Sequence, residues 1–139
     1  MSFIVTDASV WVARFVPPDA FHASVKAWME ARRAEGVEFL APALLLAEVG
    51  GAVSRRTGEP FLAKEIVERL QRLSTLRLVE LDWALLRKAA QLAAQLGLRG
   101  ADSTYVAVAS RLGVPLVTLD RDQQERVSGM VEIQTMKRS

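Results

Sequence analysis

The chain contains no cysteine and only one histidine, His22, and both scarcities limit its chemistry. Without cysteine there is no disulfide, no thiolate metal ligand and no cysteine nucleophile. A single histidine excludes a zinc site built from several imidazoles. His22 follows Phe21 on an early predicted helix, a position that indicates a surface residue rather than a catalyst. The lack of cysteine fits a reducing compartment, so we predict a cytoplasmic location.

Several functional motifs are also missing. Neither G-x-x-x-x-G-K-[ST] nor G-x-G-x-x-G occurs, which argues against a P-loop nucleotidase and against dinucleotide binding. A phosphoryl-aspartate hydrolase would need a second aspartate two places after Asp7, but that position is Ser9. No apolar run approaches a membrane span, and no signal peptide is evident at the N-terminus, so we expect neither a membrane helix nor a leader.

The overall charge is a weak indicator of nucleic-acid binding, whereas the distribution of charge is more informative. The formal net charge is +2, from 18 basic and 16 acidic residues. If four of the acids bound a metal, the remainder would be 18 basic against 12 acidic residues, a balance of +6. Most of the basic residues are arginine, whose planar guanidinium suits phosphate. Composition alone favours an ordinary arginine-rich surface over a nucleic-acid-binding one.

Apolar segments with strand character alternate with segments of helical periodicity. This pattern predicts one α/β domain, residues 1–139, with a mainly parallel central sheet flanked by helices. The predicted strands are 3–6, 38–41, 77–81, 114–119 and 131–134. The predicted helices are 8–15, 19–35, one opening at 42, one opening at 60, one from 83 to a stop at Gly97, and 102–112.

Four acidic residues interrupt segments that otherwise read as buried. Asp7 and Asp120 follow predicted strands, Glu48 is the one charge in an apolar helical window, and Asp102 opens a helix with an apolar run. Carboxylates are rarely buried unless they are paired or bind a cation. In parallel sheets, ligands bind beyond the carboxyl ends of the strands. The four acids therefore predict a shared pocket for a hard divalent cation, and hence metal-dependent phosphate chemistry.

Each acid has a simpler interpretation when taken alone. Asp7 and Asp102 could be helix N-caps, Asp120 could start a turn, and Glu48 could lie at the rim of a half-exposed helix face. Their occurrence together at the functional ends of one α/β chain favours the shared site.

The acids lie within four segments whose order and spacing resemble a known family. These are Val5-Thr-Asp-Ala-Ser9, Leu46-Ala-Glu-Val49, Ala101-Asp-Ser-Thr-Tyr-Val-Ala-Val-Ala109 and Leu116-Val-Thr-Leu-Asp-Arg-Asp122. Together they resemble the signature segments of PIN-domain ribonucleases, and the size of the chain is similar to VapC-type toxins of toxin–antitoxin pairs. The likeness spans nearly the whole chain, although 52–81 contains no residue typical of the family.

The resemblance implies hydrolysis of RNA phosphodiesters with Mg²⁺ or Mn²⁺ as cofactor. It assigns the catalytic and metal-binding positions to Asp7, Glu48, Asp102 and Asp120. Among these, we expect Asp7 and Asp102 to contact metal directly and the other two to act through water. Outside them, three side chains are candidates to hold the metal ligands or their waters by hydrogen bonds: Ser9, Thr118 and Asp122.

Two classes of function remain open at this stage. The first is an endoribonuclease toxin held inactive by a cognate antitoxin protein. The second is a metal- or RNA-binding scaffold of the same fold with little catalysis; within the enzyme class, a housekeeping RNA-processing nuclease is also possible. The resemblance further implies a homodimer, for which the helices carrying Trp28 and Phe61-Leu62 are candidate interface elements.

Overall fold

The protein, described over residues 2–139 in a computed structural model, is built on a five-stranded parallel sheet. The strand order is β3-β2-β1-β4-β5, and every neighbouring pair is parallel. The strands are β1 (Phe3–Thr6), β2 (Glu38–Pro42), β3 (Leu76–Val79), β4 (Leu116–Val117) and β5 (Ile133–Gln134). This architecture confirms the predicted α/β fold with a parallel sheet.

Within the same residues, seven helices surround the sheet. They are α1 (Ala8–Phe15), α2 (His22–Ala34), α3 (Leu45–Thr57), α4 (Pro60–Arg72), α5 (Trp83–Leu96), α6 (Gly100–Leu112) and α7 (Arg121–Val127). None of the helices in the described part of the chain combines the length and the apolar character needed to cross a membrane.

Helix α6 is the innermost helix, and its sequence explains why. Residues 103–109 are buried without interruption, because α6 packs against β1 and β2 as well as against α5. A helix enclosed on all sides shows no amphipathic stripe, which matches the continuous run of small and apolar residues. Gly97 and Gly113 end α5 and α6 in the left-handed conformation, with φ of +68° and +65°, as glycine tolerates best.

Several predicted boundaries are wrong for local reasons. Asp19 caps a turn through the Phe21 N–H at 2.8 Å, so α2 begins only at His22. Pro42 lies in β2 opposite Val79, and α3 begins three residues later. The sheet keeps only two residues of the predicted strand 114–119, two of 131–134, and 76–79 in place of 77–81.

Helix α7 is absent from the predicted elements, and a turn beginning at Asp120 was only one of two interpretations of that residue. Its sequence, Arg-Asp-Gln-Gln-Glu-Arg-Val, contains one apolar residue and therefore gives no periodic signal. Asp102 is likewise not an N-cap: α6 begins at Gly100, with Arg99 in the cap position, and Asp102 lies in the first turn.

The topology brings all four acids to one edge of the sheet. Asp7 directly follows β1, and Asp120 lies three residues beyond β4, which pairs with β1 in parallel. Glu48 is in the first turn of α3, which follows β2, and Asp102 is in the first turn of α6, which precedes β4. Because helices in such crossovers run back along the sheet, these first turns lie at the carboxyl ends of the strands.

Candidate metal and nuclease site

Asp7 is the most deeply buried of the four acids, with 5% of its surface exposed. It N-caps α1, and its Oδ1 accepts hydrogen bonds from the backbone N–H of Ser9 at 3.0 Å and of Val10 at 3.4 Å. Burial raises the pKa of this carboxyl to about 6, and hydrogen bonds from Ser9, Thr118 and Val10 offset only part of that effect. The N-cap interpretation is therefore correct but does not account for the burial, because most capping acids are solvated.

Ser9 connects the ends of the two central strands. Its hydroxyl donates to Asp7 Oδ1 and accepts a hydrogen bond from the Leu119 N–H at 3.0 Å. The Asp7 backbone N–H also donates to Val117 O at 3.2 Å, which continues the β1–β4 ladder by one residue. Ser9 thus fixes the Asp7 carboxylate relative to the segment leading to Asp120, which fits the predicted supporting role.

Asp120 N-caps α7, accepting from the backbone N–H of Asp122 at 2.9 Å and of Gln123 at 3.2 Å. Thr118 supports it, because its hydroxyl accepts from the Asp120 N–H at 3.2 Å. The same hydroxyl lies 3.2 Å from Gln123 Oε1, and Gln123 is buried beneath the site. Asp122 points elsewhere: its carboxylate pairs with Arg126 at 2.8 Å on the exposed side of α7.

Arg99 lies over two of the acids. Its Nε is 3.3 Å from Asp102 Oδ2, and its Nη2 is 3.4 Å from Asp120 Oδ2. Burial raises the pKa of Asp102, Arg99 lowers it, and the nearby charge of Asp120 raises it again. The guanidinium side chain is 82% exposed, so its attraction for the two carboxylates is weakened by water.

Glu48 is held by Tyr105 from the buried helix α6. The tyrosine hydroxyl donates to Glu48 Oε1 at 2.5 Å across 57 positions of sequence. Burial raises the pKa of Glu48, and the hydrogen bond from Tyr105 partly offsets the rise. The phenol is itself shifted upward by burial and by its bond to Glu48, so its pKa lies well above its ordinary value and it stays a donor.

The four carboxylates influence one another electrostatically. The charge of Asp102 raises the pKa of both Asp7 and Glu48, and the charge of Asp120 raises that of Asp102. Within residues 2–139, however, no three acidic or histidine side chains converge in the geometry of a formed metal centre. The structure thus brings the predicted acids to one region, with Arg99 between two of them.

The donor set still fits a hard cation. All four candidate ligands are carboxylates, the ligand type that Mg²⁺ and Mn²⁺ prefer. Asp7 in particular is buried, forms no ion pair in the described part of the chain, and has a pKa raised by that burial. A cation would relieve this desolvation penalty.

A cavity of about 480 Å³ opens beside Ser9 and Glu48. Small side chains of α1 and α3 line it, and Arg55 and Arg56 form its basic wall. Arg56 pairs with Asp19 at 2.7 Å, whereas Arg55 lies over Gly51, where an added Cβ would come within 3.0 Å of its Nη1. The cavity is therefore open next to the acids and positive on its far side.

Sequence reasoning missed three residues of this region: Arg99, Tyr105 and Gln123. Arg99 precedes Asp102 by three positions, a spacing that indicates a possible ion pair on a helix. Tyr105 was read only as part of an apolar run, although a buried tyrosine hydroxyl needs a partner. The sequence around Gln123 does not indicate that this side chain is buried, because α7 contains one apolar residue and has no periodic pattern that would mark a buried face.

Comparisons with known proteins agree with the observed fold and give the family. A family model described as "PIN domain" matches residues 4–129, a span that contains all four acids. The chain is similar to the crystal structure of Mycobacterium tuberculosis VapC20, described as a sarcin-ricin loop cleaving toxin, at 21% identity and a TM-score of 0.79, covering 94% of this chain and 98% of that one.

Two further solved structures share the fold. VapBC2 from Rickettsia felis, bound to a DNA fragment from its promoter, matches at 16% identity and a TM-score of 0.75, covering 97% and 99% of the two chains. VapBC-5 from Mycobacterium tuberculosis, a member of the VapBC family of toxin-antitoxin systems, matches at 19% identity and a TM-score of 0.62, covering 99% of each. A search of curated protein sequences finds no match.

Proposed function

Because this chain belongs to the PIN-domain family, we propose that it is a metal-dependent endoribonuclease that hydrolyses RNA phosphodiester bonds. The observation that supports this most directly is the grouping of Asp7, Glu48, Asp102 and Asp120 at the carboxyl edge of a parallel sheet. One of these acids, Asp7, is buried without an ion pair in residues 2–139, as a cation ligand would be.

The four acids would hold the cation in two different ways. Asp7 and Asp102 would hold Mg²⁺ or Mn²⁺ directly, and Glu48 and Asp120 would hold it through water. The bound cation would supply an activated water and would neutralise charge on the leaving oxygen. Ser9 orients Asp7, Thr118 orients the backbone of Asp120, and Tyr105 holds Glu48. No side chain acts as a nucleophile in this scheme.

We further propose that the nuclease is the toxin of a toxin–antitoxin pair, in which a cognate antitoxin protein blocks the site. The support is the likeness in fold to VapC20, described as a toxin, and to members of VapBC systems, together with matched chain lengths. The partner's contact with the site would be basic, because an arginine can pair with two carboxylates and compete with the cation. Arg99 already makes such contacts within the chain.

Cleavage of RNA by the purified protein tests the activity. We expect cutting with Mg²⁺ or Mn²⁺, none in EDTA, and recovery when the metal is restored. Because water is the proposed nucleophile, the products should lack a 2′,3′-cyclic phosphate, and a substrate with a 2′-deoxy substitution at the cleaved position should still be cut. Cleavage that persists in EDTA and yields a cyclic phosphate would contradict the proposal.

Induced expression separates the toxin from a housekeeping nuclease and from a scaffold. A toxin should arrest growth, the Asp102→Asn variant should not, and co-expression of a small neighbouring gene should restore growth. RNA cleavage in vitro without growth arrest would favour the housekeeping nuclease. Metal-independent RNA binding without cleavage would favour the scaffold.

A further inference from the structure

A second cavity, of about 790 Å³, lies beside the segment that leads from β4 to Asp120. Its polar lining includes three basic residues, Arg121 at the start of α7 and Lys137 and Arg138 in the C-terminal segment. Phe21, Leu119 and Met136 supply apolar surface between them. We call this cavity the basic cleft.

The basic cleft has fixed walls. The C-terminal segment is tied to the start of α2, because the Ser139 N–H donates to Ala20 O just before the helix at 2.8 Å and the Ser24 N–H in its first turn donates to Ser139 Oγ at 2.8 Å. The Arg138 guanidinium lies over the Phe21 ring at 5.9 Å. On the opposite wall, Gln124 donates to Thr118 O at 2.7 Å and so holds α7 against the end of β4.

The basic residues of the cleft are not neutralised by acidic side chains in the described part of the protein. No acidic residue lines it. Arg121, Lys137 and Arg138 form no ion pair in residues 2–139, whereas the nearby acids Asp19 and Asp122 are paired with Arg56 and Arg126. Three unpaired cations around a partly apolar cavity make a site for an anionic ligand that also has apolar faces.

We propose that the basic cleft binds the sugar–phosphate backbone of single-stranded RNA next to the bond that is cut, an inference that rests on the proposed function. Its lining begins at Leu119, one residue from Asp120, so a strand lying in it would continue into the acidic site. The acids repel an RNA backbone, and the three cations offset that repulsion. The apolar lining can contact base faces, as in other sites for single strands.

The test is RNA binding by fluorescence anisotropy, measured in EDTA so that no substrate is cut. The variant combines Arg121→Gln, Lys137→Gln and Arg138→Gln. Its matched control combines Arg72→Gln, Arg87→Gln and Lys88→Gln, also two arginines and one lysine. Arg72 ends α4, Arg87 and Lys88 lie on α5, and none of the three lines the basic cleft.

For a labelled single-stranded RNA we expect the cleft variant to bind at least about 10-fold more weakly, and the control to stay within about 2-fold of the wild type. The logarithm of the binding constant falls linearly with the logarithm of the salt concentration, with a slope of about −0.7 per phosphate contact for single strands. The loss of three contacts should therefore make this slope less steep by about 2 in the cleft variant. In the cleavage assay the KM should rise in the cleft variant, with kcat nearly unchanged. Thermal melts establish that both variants are folded.

The outcomes separate the two proposals. If the wild type binds and cuts RNA but the cleft variant binds it equally well, the basic cleft is not an RNA site and the proposed function stands. If the cleft variant keeps its affinity for RNA but loses affinity for a glutamate-rich peptide, the occupant is an acidic protein segment and the proposal is overturned. If the wild type neither binds nor cuts RNA, the proposed function fails, and the cleft proposal fails with it.

Discussion

The hydroxyl of Tyr105 donates a hydrogen bond to the Glu48 carboxylate, joining the innermost helix to an acid at the edge of the sheet. The tyrosine ring is buried, with 1% of its surface exposed, so the donor has little freedom to move. The two oxygens are 2.5 Å apart. The core of the protein thereby sets the position of one proposed metal ligand.

Replacing Tyr105 with phenylalanine should keep the ring packing but leave Glu48 without its donor. We expect the free energy of unfolding to fall by about 1.5–3 kcal/mol, the usual effect of losing a hydrogen bond to a charged group. Ribonuclease kcat should also fall. The measurement is urea unfolding and cleavage rate for Tyr105→Phe, Glu48→Gln and the double variant. Effects that simply add in the double variant would show that the two residues are not coupled.

The raised pKa of Asp7 predicts a pH-dependent stability in the absence of metal. Because its pKa is about 6 in the folded protein against 3.8 for an ordinary aspartate, the folded state binds the proton more tightly. Ionisation of this carboxyl therefore lowers the free energy of unfolding progressively as pH rises from about 3.8 to about 6. The total loss is about 3 kcal/mol at most.

Asp7→Asn should remove this dependence, since asparagine can still N-cap α1. In EDTA we expect the variant to be more stable than the wild type at pH 7.5 and to lose that advantage at pH 4. Urea unfolding at both pH values measures it, and Glu65→Gln, a change to an exposed acid on α4, is the control. Equal stability differences at the two pH values would mean that Asp7 is not held in an unfavourable charged state.

Arg99 should compete with the metal, because it contacts two of the proposed ligands. Arg99→Gln should therefore bind Mn²⁺ several-fold more tightly, as measured by titration calorimetry. Arg126→Gln removes an arginine from Asp122 outside the site and should change nothing. Unchanged or weaker Mn²⁺ binding in Arg99→Gln would show that the arginine does not oppose the metal.

The predicted homodimer can be examined through the exposed aromatic residues. Phe61 on α4 is 75% exposed and Trp83 on α5 is 74% exposed, whereas Trp28 is half-buried against Phe39, with ring centroids 5.5 Å apart. We expect Phe61→Asp to shift a dimer towards monomer in sedimentation at micromolar concentration. Met130→Asp, at another exposed apolar side chain, should leave the dimer intact. A monomeric wild type would contradict the prediction.

Sequence patterns predicted the parts of the fold that depend on local signals. Asp82 caps α5 as predicted, with Leu85 N–H donating to its carboxylate at 2.8 Å, and Gly97 and Gly113 stop the helices where expected. Strand lengths were less well predicted, because residues 114–119 are apolar except for Thr118, and only their pairing with β1 and β5 decides which two form the strand.

The acids of the candidate site were recognisable because charge is conspicuous within apolar segments. Their partners were not, since Arg99 and Tyr105 meet Asp120 and Glu48 only through tertiary structure, across 21 and 57 positions of sequence. The basic cleft is invisible in the sequence for the same reason: Phe21, Arg121 and Arg138 become neighbours only when the C-terminal segment packs beside α2.

The central claim is that four carboxylates support metal-dependent cleavage of RNA. The most direct measurement is the cleavage rate across an Mn²⁺ titration for Asp7→Asn, Glu48→Gln, Asp102→Asn and Asp120→Asn, with Asp122→Asn as the neighbouring control and thermal melts to establish folding. We predict that each of the four loses at least about 100-fold in rate, an ordinary range for groups acting on a transition state, and that Asp122→Asn keeps nearly full activity. Full activity in a folded Asp102→Asn, or equal losses in Asp122→Asn, would contradict the account.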